Sequence, residues 1–68
     1  MSASDYTTEY WCHATLLTVA YDAWINGHED HVDWSDVADS LQWFKTTPPG
    51  HDTIARLVSR LTVITEDV

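Results

Sequence analysis

The sequence predicts an all-α fold: a small three-helix bundle, with a possible short strand at its C-terminal end. Three observations lead there. Two turn signals, Asn26-Gly27 and Thr46-Thr47-Pro48-Pro49-Gly50, divide the chain into segments of roughly 6–26, 33–45 and 52–64. Within each segment the apolar residues recur every three or four positions, as on a helix with one buried face. Finally, 68 residues support one core only, so 1–68 reads as a single helical domain. No internal repeat or low-complexity tract interrupts it.

In the first segment Tyr10, Ala14, Leu17, Tyr21 and Trp24 follow one another at intervals of 4, 3, 4 and 3. They form one face of a helix that stops at Asn26-Gly27, because glycine accepts the left-handed conformation of a helix C-terminus. A second set, Cys12, Leu16, Val19 and Ala23, repeats the spacing on an adjoining face. Glu9 and His13 fall between the sets or at an edge, and Trp11, Thr15, Thr18 and Asp22 outside both. So wide an apolar surface needs two neighbours, and one of them could be a second molecule.

The second segment opens with Val32-Asp33-Trp34-Ser35-Asp36-Val37. Asp33 suits the N-cap, Asp36 the N3 position at the positive end of the helix dipole, and Val32 and Val37 the positions of a hydrophobic staple. Trp34, Val37, Ala38, Leu41 and Phe44 are the expected buried stripe. Trp43 is expected outside it, on the side of Asp36 and Asp39, since it stands seven residues beyond the first and four beyond the second. The proline pair ends this helix by removing backbone donors.

The third segment is amphipathic, with Ile54, Leu57, Val58, Leu61 and Ile64 inward, Arg56 and Arg60 outward, and Asp52 as the expected N-cap. Its end is β-branched enough for a short strand. Residues 36–61 also loosely resemble a helix-turn-helix, through Val37-Ala38-x-x-Leu41 followed by Ile54-x-x-Leu57-Val58. The connecting loop is too long and proline-rich for that motif, however, and only two basic residues could serve a recognition helix.

Charge bears most on function. The chain carries a formal −8, and all of it lies before Lys45. No Lys or Arg offsets Asp5, Glu9, Asp22, Glu29, Asp30, Asp33, Asp36 and Asp39, whereas Lys45, Arg56 and Arg60 balance Asp52, Glu66 and Asp67. Phosphate binding uses clustered cations, so direct contact with nucleic acid or an anionic membrane is not expected. A basic protein partner is.

One cysteine excludes an internal disulfide framework and a CxxC metal knuckle. No secretory signal and no apolar run of about 20 residues is visible, so the expected location is intracellular, in the cytoplasm of the producing or host cell. His28 and His31, with Cys12 and His13 in the preceding helix, are a conceivable zinc set, but their convergence is not implied by the spacing. The plainer expectation is a solvated acidic loop, with no metal and no cofactor. Cys12 and His13, adjacent on a helix, point about 100° apart, poor geometry for a thiolate and its base. An enzyme is not expected.

Two readings of function follow. In the first, Glu29, Asp30, Asp33, Asp36 and Asp39 form a negative row, with Trp43 as its anchor. Such a row imitates nucleic-acid phosphates at coarse resolution and covers a basic site on a nucleic-acid-handling protein, in the manner of small phage or mobile-element inhibitors. In the second, the chain is a self-associating accessory protein, a possible homodimer whose seam is Cys12, Leu16, Val19 and Ala23. The plain alternative to both is an acidic surface that keeps a small protein dissolved.

Overall fold

The computed structural model describes residues 7–66, and within them the fold is three helices: α1 (Thr8–Ile25), α2 (Trp34–Thr46) and α3 (Asp52–Glu66), with one 3₁₀ turn over Glu29–His31. Tyr6, where the first predicted segment begins, lies outside the described residues, as do Asp5, Asp67 and Val68.

Each boundary has a local cause. The Thr7 hydroxyl accepts a hydrogen bond from the Tyr10 N–H at 3.1 Å and caps α1. At the other end the His28 N–H donates to the Ala23 carbonyl (2.8 Å) and the Gly27 N–H to the Trp24 carbonyl (3.2 Å). This paired closure is a Schellman motif, and Gly27 supplies the positive φ of 78° that it requires. The Asp33 carboxylate accepts from the Ser35 and Asp36 N–H groups and caps α2. Val32 is half-buried against the core and Val37 fully buried, as a staple demands. Gly50, at φ 82°, turns the chain into α3.

Asp52 is not the cap of α3. The helix begins at Asp52, and the Ala55 N–H donates to the His51 carbonyl at 2.9 Å, which places His51 at the cap position. Among the described residues the possible C-terminal strand is not formed either, since α3 continues through Glu66. Its apolar residues fall at helical spacing, so burying them on a helix face outweighs β-branched propensity.

The helices run up, down and up. The Tyr10 hydroxyl donates to the Pro49 carbonyl, and the Trp11 and His51 rings lie 5.6 Å apart, so α1 and α3 begin at the same end. Tyr10 also meets Phe44, near the end of α2, at 5.6 Å, and α2 therefore runs the other way. One core results: Tyr10, Ala14, Leu17 and Ala20 from α1, Val37, Leu41 and Phe44 from α2, and Ile54 and Leu61 from α3.

Several side chains depart from the expected stripes. Trp24 is 42% exposed and Tyr21 half-buried, while Ala20 takes the inner position. Helix axes close together suit a small residue there, and the two large rings stack on each other at the edge, centroids 6.2 Å apart. Ala38 is exposed, one residue round the helix from Val37. Trp43, expected outside the stripe, is half-buried and packs against the core.

Leu17 and Leu61 are completely buried. Leu17→Ala or Leu61→Ala should each cost about 2–5 kcal/mol in urea unfolding followed by circular dichroism, against roughly 0.5 kcal/mol or less for Val19→Ala at a 60% exposed position. Asp33→Ala should cost about 1 kcal/mol. Asp33→Asn, which keeps the capping oxygen, should cost only a few tenths.

Candidate functional site

The acidic row begins in the 3₁₀ turn. The Glu29 carbonyl accepts from the Val32 N–H (3.2 Å) and from Trp34 Nε1 (2.9 Å), tying the turn to the first residue of α2. Trp34 is half-buried against the core, so this link fixes the direction in which Glu29 and Asp30 leave the bundle. Asp36 and Asp39 continue along α2 at helical spacing, with about 5–6 Å between neighbouring Cβ atoms. Glu29, Asp30, Asp33, Asp36 and Asp39 are all exposed. Among the described residues none of these carboxylates is in an ion pair. Only Asp33 has a local task, the cap of α2.

Trp43 is held rather than free. Its ring stacks on His13 at 4.6 Å and meets Phe44 edge-on at 5.0 Å and Tyr10 at 6.3 Å. His13 is held in turn, since its Nδ1 and Ser40 Oγ are 2.7 Å apart. Ser40, a polar residue that is only 1% exposed, is not singled out by its pattern in the sequence. The available signal was positional, for Ser40 lies between Val37 and Leu41 on the inner side of α2. A serine beside a histidine is a nucleophile-and-base pair in outline. Burial keeps a substrate carbonyl from Ser40 Oγ, and the pair serves instead to join α1 to α2.

The histidines do not assemble with the cysteine. His28 and His31 have ring centroids 5.6 Å apart in the connecting turn. Cys12 and His13 stand near the other end of α1, about 20 Å along the helix axis at 1.5 Å per residue. Among the described residues no three His, Cys, Asp or Glu side chains are placed to hold a metal ion. The zinc set raised by the sequence is therefore not formed.

The second apolar set of α1 stays outside the core. Cys12 and Val19 are exposed, while Leu16 and Ala23 are half-buried. The outer side of α1 and α3 holds a feature that sequence patterning did not isolate, an open groove of about 780 Å³ whose lining includes Tyr21, Trp24, Arg56, Arg60, Val63 and Ile64. A depression of about 360 Å³ adjoins it, sharing Tyr21, Arg56 and Arg60 and adding Asp22 and Ile25. The outward positions of Arg56 and Arg60 follow from the sequence pattern, whereas Trp24, expected in the core, borders the groove instead.

None of the helices among the described residues is long and apolar enough to cross a membrane. No protein-family profile matches this sequence, and neither a curated protein nor a solved structure is significantly similar to it.

Ser40→Ala, which takes the hydroxyl away from His13, should cost about 1 kcal/mol in urea unfolding. Stoichiometric zinc, or its removal with a chelator, should leave Tm unchanged in differential scanning calorimetry; a rise with zinc would mean that a site forms after all.

Proposed function

We propose that the chain is a small acidic protein-binding module that covers a basic, nucleic-acid-binding surface of a partner protein. The observation that carries this reading is the row from Glu29 to Asp39, exposed and in no ion pair among the described residues. A carboxylate row that no cation of its own chain neutralises projects an uncancelled field, which attracts a basic surface and raises the rate of encounter. It also occupies the cations that would otherwise bind phosphate.

The row has a fixed shape, because the link from Trp34 to the Glu29 carbonyl and the cap at Asp33 are both local hydrogen bonds. Pre-organised charge loses less ordering entropy on binding than charge on a flexible tail. Trp43 contributes as a ring anchored by His13 and Phe44 at the edge of the same side of α2, its register set by Asp36 and Asp39. The chemistry proposed is recognition. Catalysis is no part of it, and neither a metal nor a cofactor is required.

The test compares the wild-type chain with Asp36→Lys/Asp39→Lys as bait for a cell lysate at low salt, with elution by high salt. The row predicts a basic nucleic-acid-handling protein retained by the wild type and released by salt, with affinity reduced about tenfold or more by the double reversal. Equal retention by both baits would remove the row from the interaction.

A further inference from the structure

We propose that two copies of this chain associate through the groove between α1 and α3, which no residue of α2 lines. The first reason is where the exposed apolar surface lies. Among the described residues four large apolar side chains are exposed, and three of them, Trp24, Ile25 (55%) and Val63 (59%), border this groove or its adjoining depression. The fourth, Val19, lines neither. Isolated exposed apolar residues are ordinary, whereas a contiguous group rimmed by polar side chains marks an interface.

The second reason is charge. The chain has three cationic side chains, and two of them, Arg56 and Arg60, line the groove. Both are exposed, and neither is in an ion pair among the described residues. Asp22 lines the adjoining depression. The patch therefore holds an apolar centre with both signs of charge, a composition that complements itself across a two-fold axis. A two-fold arrangement that lays α1 of one copy along α3 of the other would bring Asp22 towards the opposing arginines. Tyr, Trp and Arg, which supply the strongest contacts in protein interfaces, are all present.

The third reason is the repulsion that this orientation avoids. Two chains of formal charge −8 repel each other in most orientations. No α2 residue lines the groove, and the bundle is 18–21 Å across its two shorter axes. Contact through the groove leaves α2, with Asp36 and Asp39, outside the contact, where salt screens the exposed charges of the two copies from each other. It also leaves both rows open to a partner, so the dimer would be bivalent towards a repeated basic surface.

The test is the mass of the full chain by sedimentation equilibrium over a concentration series at physiological salt, for the wild type, Ile25→Glu/Val63→Glu, Val19→Glu and Asp36→Lys/Asp39→Lys. All the substituted side chains are exposed, and circular dichroism checks that each variant keeps its helices. The proposal expects a wild-type dimer, association weakened about tenfold or more by Ile25→Glu/Val63→Glu, and little change in the other two variants. A wild-type chain that stays monomeric into the millimolar range overturns it. So does a dimer indifferent to Ile25→Glu/Val63→Glu, or one that Val19→Glu disrupts equally, which would move the contact to the outer side of α1.

Discussion

Tyr10 is the side chain on which the arrangement of this bundle depends. It is buried, its ring meets Trp11, Phe44 and Trp43 edge-on, and its hydroxyl donates to the Pro49 carbonyl. One residue thus joins the start of α1, the end of α2 and the loop that leads into α3. A phenol does this well because its ring supplies apolar area and its hydroxyl satisfies a backbone acceptor in a loop with two prolines. One turn further along α1, His13 stacks on Trp43 and meets the Ser40 hydroxyl, which sets α1 against α2 a second time. The direction of the acidic side of α2 follows from those two fixings.

Much of the fold was legible because its determinants are local. Asn26-Gly27 became a Schellman closure, Asp33 a cap, and Val32 with Val37 a staple, since each of these depends on residues a few positions apart. Tyr10, Ala14, Leu17, Val37, Leu41, Phe44, Ile54 and Leu61 of the expected stripes are buried for the same reason. The errors arise where a neighbour decides. Trp24 shares the angular sector of Leu17, but stands in the last turn of α1, where it borders a groove instead of a core. Ser40 is polar and buried because His13 stands opposite it, and a helix pattern read alone holds no information about the residue opposite. Trp43 was assigned to one side of α2 by its spacing from Asp36 and Asp39; aromatic partners on α1 then drew it half inward.

The candidate site divides in the same way. The acidic residues were readable one by one from composition and spacing, and their exposure follows from the cost of burying an unpaired charge. The α1/α3 groove was not readable, because it is made by residues some 35 positions apart that only the closed bundle brings together. Carboxylates run from the turn along α2, while two of the three cations line the α1/α3 groove, where Asp22 adjoins them. A protein this small has little room for an internal pocket, so its surfaces are where recognition can occur.

The most direct measurement is a competition on the basic protein retained by the acidic row. A labelled DNA duplex bound to that protein is titrated with the chain, and the complexes are separated by mass. The account predicts exclusion, with the duplex displaced as the chain binds and the displacement weakening as salt rises, because both ligands use the same cations. A stable assembly holding partner, duplex and chain together would contradict it.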